Sequence, residues 1–142
     1  MVIKQEFYYP PGRSNRNLHI YLPDGKSGRF PVMYFFDGHN LFFDSDATYG
    51  KSWGLKEFLD GWSKPMIVVG MECSHTGNQR LEEYLPYPAA GGNAGKLTAK
   101  GDETLDWLIT RVKPYIDGRF PTIPFRECTG IAGSSMGGLM AI

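Results

Sequence analysis

Cys128-Thr129-Gly130-Ile131-Ala132-Gly133-Ser134-Ser135-Met136-Gly137-Gly138-Leu139-Met140-Ala141-Ile142 is the stretch that decides how this chain is read. Within it, Gly133 to Gly137 fits G-x-S-x-G, the sharp strand-to-helix turn that exposes a serine hydroxyl. A short apolar strand, Cys128 to Gly133, enters the turn, and an apolar helix start, Met136 to Ile142, leaves it. Gly133 and Gly137 permit close approach of strand and helix, and Gly138 adds room. The five-residue pattern alone is loose and also fits a glycine-rich turn with an idle serine. Its context makes Ser135 the candidate nucleophile and Ser134 a neighbouring hydroxyl that points elsewhere.

A serine hydroxyl is a weak nucleophile at neutral pH and needs a histidine base, itself oriented by a carboxylate. In chains built around this turn both partners follow the serine. Here His19, His39 and His75 all precede it. His19 falls in an expected edge strand, where a structural role is the natural reading. His39 lies in the loop after the first apolar run and is expected to contact substrate rather than to serve as the base, and His75 opens a long loop. No two histidines share a spacing such as H-x-x-x-H, so neither a metal nor another cofactor is expected.

Met136 N–H, at the start of a helix, can donate to an oxyanion forming beside Ser135, helped by the helix dipole. The second donor is expected in Asp37-Gly38-His39-Asn40-Leu41-Phe42, as the backbone N–H of Asn40 or Leu41. The alternative is a plain tight turn capped by Asp37.

Outward from the turn, the chain alternates strands and helices. Ile3 to Tyr9 and Asn17 to Leu22 read as two half-exposed antiparallel strands, each ended by a proline-glycine turn. Pro31 to Phe36 and Met66 to Met71 are continuous apolar runs, suited to parallel strands covered on both faces. Between them Trp53 to Trp62 forms a helix with Leu55, Phe58, Leu59 and Trp62 on one stripe. A second helix starts near Asp102-Glu103-Thr104, an N-cap candidate. It carries Leu105, Leu108, Ile109, Val112, Tyr115 and Ile116 at helical period, is loosened by Pro114 and ends at Gly118. The order implies one α/β domain with a mostly parallel sheet and helices on both faces.

Ser74 to Lys100 is long for a plain connection and is a candidate binding loop. It holds Arg80-Leu81-Glu82-Glu83-Tyr84-Leu85-Pro86-Tyr87 just past a parallel strand, at the strand end where open α/β sheets bind ligands. Arg80, Glu83 and Tyr84, with His39, are the candidate substrate contacts. Arg80 and Glu83 are expected to pair, and the alternative is a solvated loop with packing tyrosines.

The 15 basic residues balance 15 acidic ones, which gives no field to draw nucleic acid or an anionic membrane. Aromatic residues make up 14%, enough to favour an aromatic-lined pocket for a small neutral substrate. Cys73 and Cys128 are too few for a disulfide framework and read as reduced thiols. There is no basic-then-apolar leader and no apolar run of about 18 residues, so a cytoplasmic location is expected.

Together these segments resemble the "Putative esterase" (esterase D-like) family of α/β-hydrolases, which includes feruloyl, acetyl xylan and enterochelin esterases. Pro31 to Phe42, Asn78 to Tyr84, Val112 to Asp117 and Ile131 to Gly138 carry the likeness. The resemblance implies a three-layer α/β-hydrolase fold with strand order 1-2-4-3-5-6-7-8, of which residues 1–142 would be the N-terminal part, truncated after the nucleophile elbow. It implies a serine carboxylesterase acting on a small-molecule ester, with the acid and histidine beyond residue 142 and little activity without them. An open edge on the fifth strand would favour self-association or pairing with a C-terminal half. An acyltransferase, or a non-catalytic scaffold or binding module of the same fold, is the alternative.

Overall fold

The computed structural model describes residues 1–90 and 96–142. Strand β1 (Val2–Tyr9) turns through a 3-10 segment at Pro10–Gly12 into β2 (Ser14–Tyr21). Then come β3 (Val32–Phe36), a 3-10 turn at Gly38–Asn40, helix α1 (Leu55–Asp60), β4 (Ile67–Met71) and α2 (Gln79–Glu83). A two-residue pair follows, β5 (Ala89–Ala90) with β6 (Lys96–Leu97). Helices α3 (Gly101–Trp107) and α4 (Lys113–Arg119) are joined by a π-helical segment, Leu108–Val112. After a 3-10 turn at Arg126–Cys128, β7 (Thr129–Ala132) leads into α5 (Met136–Met140).

The main sheet has five strands in the order β1-β2-β4-β3-β7. It is mixed rather than mostly parallel: β1 and β4 flank β2 antiparallel, whereas β4 and β7 flank β3 parallel. The first connection is a tight turn, which forces antiparallel pairing, while the later crossovers through α1 and through α3–α4 return the chain in the same direction. Of the two apolar runs, β4 is buried at all five positions, whereas β3 alternates, with Met33 and Phe35 only partly buried. The expected edge position of His19 is corrected. β2 is interior because β4 pairs with it, and His19 is only 2% exposed.

Alternation along the strands sends side chains to two cores. Val32, Tyr34 and Phe36 of β3 pack with Trp107, Leu108, Val112 and Ile116 of the long helical stretch. Met33 and Phe35 meet Leu55 and Leu59 of α1. The predicted apolar stripe is narrower than expected, because Phe58 and, past the end of α1, Trp62 are exposed, their tilted rings 4.8 Å apart. The helix begins at Gly101, after Lys100, whose side chain makes no capping hydrogen bond, rather than being capped within Asp102-Glu103-Thr104. Thr104 is instead buried, its hydroxyl 2.8 Å from that of Tyr9 and donating to the Glu83 carbonyl. Pro114 sits in the first turn of α4, directly after the π segment, where its missing N–H and bulky ring are accommodated without ending the helix.

Candidate active site

Ser135 stands between β7 and α5 with φ 54° and ψ −122°, a region that costs an L-residue roughly 1–3 kcal/mol. Its side chain is exposed. The glycines around it explain how the turn stays so sharp. A Cβ on Gly133 would lie 2.3 Å from the Gly137 backbone, and one on Gly137 would meet Phe36 Cβ at 3.0 Å and Asp37 Oδ2 at 3.2 Å. Strand, helix and the end of β3 therefore close on one another only because these positions lack side chains. Met136 opens α5, so none of the helix's own carbonyls reaches its N–H.

The turn after β3 is equally crowded. Asp37 has φ 58°, and a Cβ on Gly38 would sit 2.2 Å from the Gly70 backbone of β4. Asp37 is 2% exposed, its N–H donates to the Tyr84 hydroxyl at 3.1 Å, and its carboxylate accepts two hydrogen bonds from Arg80 at 2.7 Å each. The N–H groups of Asn40 and Leu41 donate within the turn, to Asp37 O at 3.0 Å and Gly38 O at 3.3 Å. To serve an oxyanion, one of these bonds would have to be exchanged for a bond to the ligand.

The candidate substrate contacts divide. Arg80 is half-buried on Asp37, and the expected Arg80–Glu83 pair is corrected. Glu83 is buried and pairs with Arg16 at 2.5 Å, while its other oxygen accepts Ser74 N–H at 3.0 Å. Tyr84 is 2% exposed, edge-on to Phe36, and burial followed by the nearby Asp37 carboxylate pushes its hydroxyl well above the usual tyrosine range. These three residues tie α2 to β2, β3 and β4. Of the predicted binding loop, residues 91–95 lie outside the described residues. A cavity of about 620 Å³ lies between Pro10–Pro11 and α3, reaches Arg111 and does not include Ser135.

His39 is buried beside exposed His75, the rings 4.5 Å apart and edge-on. Burial first, and then His75, lower the pKa of His39 and favour its neutral form. Burial disfavours the Glu72 carboxylate, but the imidazoles of His19 and His75 and the Asn17 N–H outweigh it and hold the group well below the usual carboxylate range. Chain spacing hid the meeting of His39 with His75. The signal for it was that both follow adjacent parallel strands and so emerge at one end of the sheet.

A sequence model described as "Putative esterase" matches residues 12–142. The chain belongs to that family. A feruloyl-esterase-containing relative, the endo-1,4-beta-xylanase/feruloyl esterase of Xylanibacter ruminicola, is 32% identical over 133 residues, 87% of this chain and 16% of that protein. The Bacillus subtilis (strain 168) protein YbbA, described only as uncharacterized, is 26% identical over 90% of this family member and 50% of its own length. Among solved structures, the IroE-like serine hydrolase from Shewanella oneidensis superposes with a TM-score of 0.77 at 20% identity, covering 99% of this chain and 45% of that one. That likeness shows the α/β fold over part of a longer chain. The chain spans half or less of the length of these relatives.

Proposed function

We propose that this chain supplies the nucleophile of a serine carboxylesterase. Ser135 Oγ attacks the carbonyl carbon of a small-molecule carboxylic ester, its proton passing to a histidine base. The tetrahedral oxyanion is held by Met136 N–H together with a donor from the Gly38–Leu41 turn, Asn40 or Leu41, once its bond inside the turn is exchanged. Collapse expels the alcohol, and water then releases the acyl group from Ser135. His39 lies in that turn, and Arg80, Glu83 and Tyr84 lie in or directly after α2. Arg80 and Tyr84 hold Asp37, while Glu83 pairs with Arg16, so all three act by fixing the loops that frame the substrate. The reading takes the histidine base and its carboxylate from outside residues 1–142, following the serine in the chain order usual for this turn.

The observation that carries the proposal is the backbone of Ser135. An exposed hydroxyl held at φ 54° and ψ −122° by two crowded glycines is costly to keep and has no packing purpose. The family match and the relative named as a feruloyl esterase support an ester substrate. The test is hydrolysis of a chromogenic aryl acetate by the full-length polypeptide. Ser135→Ala should lower kcat by on the order of 10⁵–10⁶ with the fold intact. Turnover unaffected by Ser135→Ala would refute the assignment.

A further inference from the structure

The ends of β3 and β4 bring together three side chains that the esterase reading does not use as a unit. Ligand atoms of His39, Cys73 and His75 all lie within 4.8 Å of one another. From these residues we propose that the loops after β3 and β4 form a binding site for a single zinc-class divalent cation, held by two imidazoles and one thiolate. The proposal stands apart from the assignment of Ser135.

The hydrogen bonds around the cluster fit ligation at one nitrogen of each ring. His75 Nε2 lies 2.8 Å from Glu72 Oε1, and an ionised carboxylate only accepts, so the proton is on Nε2 and Nδ1 carries a lone pair. His39 Nε2 lies 2.8 Å from Thr48 Oγ1, and its Nδ1 is buried with no hydrogen-bond partner among the described residues. A buried ring nitrogen in that state costs free energy that a metal bond would recover. A carboxylate or hydroxyl on the far nitrogen is the arrangement that orients metal-bound histidines and raises their basicity. Cys73 is 3% exposed and reduced, and coordination releases its thiol proton to solvent.

Two nitrogens and one sulfur suit zinc or copper over magnesium or calcium. Bond lengths of about 2.0 Å to nitrogen and 2.3 Å to sulfur set tetrahedral ligand atoms roughly 3.3–3.6 Å apart. The cluster must therefore contract by up to about 1.5 Å, a shift assigned to His75, on the exposed loop after β4 and bonded there to the Glu72 side chain. The His75 side chain is 55% exposed. A cavity of about 390 Å³ lined by Glu72, Cys73 and His75 opens a path for the ion, and water completes the coordination.

Cobalt(II) titration of the reduced full chain tests the site, because Co²⁺ takes the same ligands as zinc and a thiolate bond to it gives a strong near-ultraviolet charge-transfer band. We expect that band to saturate at one equivalent, to vanish in Cys73→Ser and to persist in Cys128→Ser. His75→Ala, at an exposed position, should weaken Co²⁺ binding at least tenfold, and Glu72→Gln by on the order of tenfold. Circular dichroism establishes that each variant is folded. Absence of the band in the folded wild type, its persistence in Cys73→Ser, or unchanged affinity in His75→Ala would overturn the proposal.

Discussion

Arg80 grips Asp37 with a fork of two hydrogen bonds, Nε to Oδ1 and Nη2 to Oδ2, each 2.7 Å long. The pair joins α2 to the turn that follows β3, and Asp37 in turn lies under Gly137 of the serine elbow. One ion pair thus couples the long loop to both candidate oxyanion segments.

Removing one partner should leave the buried Asp37 carboxylate uncompensated. Arg80→Ala is expected to lower stability by on the order of 3 kcal/mol. Arg80→Lys should recover only part of this, because an ammonium lacks the planar fork. Urea unfolding measures both, and a loss below about 0.5 kcal/mol in Arg80→Ala would place the pair among weak surface contacts.

Strain at Ser135 makes stability and chemistry pull apart. Glycine accepts φ 54° at no steric cost, so Ser135→Gly should be more stable than Ser135→Ala by about 1 kcal/mol although both lack the hydroxyl. Equal midpoints for the two variants in thermal unfolding would mean the turn is not strained.

Glycine positions separate sharply by their surroundings. Gly133→Ala and Gly38→Ala place a methyl 2.3 Å and 2.2 Å from backbone atoms and should prevent normal folding or lower the midpoint severely. Gly118, inside α4, has nothing among the described residues within 4 Å of where a Cβ would sit, and Gly118→Ala should stabilise by about 0.5–1 kcal/mol. Comparable losses at all three positions would refute this contrast.

Two depressed ionisations predict acid sensitivity in separate windows, measured with a chelator present. The unfolded chain protonates His39 at about its ordinary 6.5 while the folded chain resists, so stability falls as pH drops below that value until the folded pKa is passed. Glu72 contributes stability above its ordinary 4.5, which is lost as pH falls from there through its lower folded value. His39→Gln should flatten the upper window and Glu72→Gln the lower. A stability profile with unchanged slope in both variants would contradict the stated environments.

The sequence carried the local features well because they are written in neighbouring residues. An apolar strand, G-x-S-x-G and an apolar helix start specify the elbow, and Pro31–Phe36 and Met66–Met71 specify the parallel strands as far as their pairing through β3 and β4. What it did not carry depends on contacts far apart in the chain. The interior place of β2 follows from its pairing with β4, and the Arg80–Asp37 and Arg16–Glu83 pairs cross 43 and 67 residues. Pairing of the Asn40 and Leu41 N–H groups inside their own turn matches the tight-turn alternative, although the Asp37 side chain does not cap it.

The central claim is that Ser135 is a reactive nucleophile, and covalent labelling reads this directly. The full-length polypeptide is treated with a fluorophosphonate and the modified peptide is mapped by mass spectrometry. The account predicts one phosphonyl group, on Ser135 and not on Ser134, with no labelling in Ser135→Ala. Modification of another residue, undiminished labelling of Ser135→Ala, or failure of the folded full-length protein to react would contradict it.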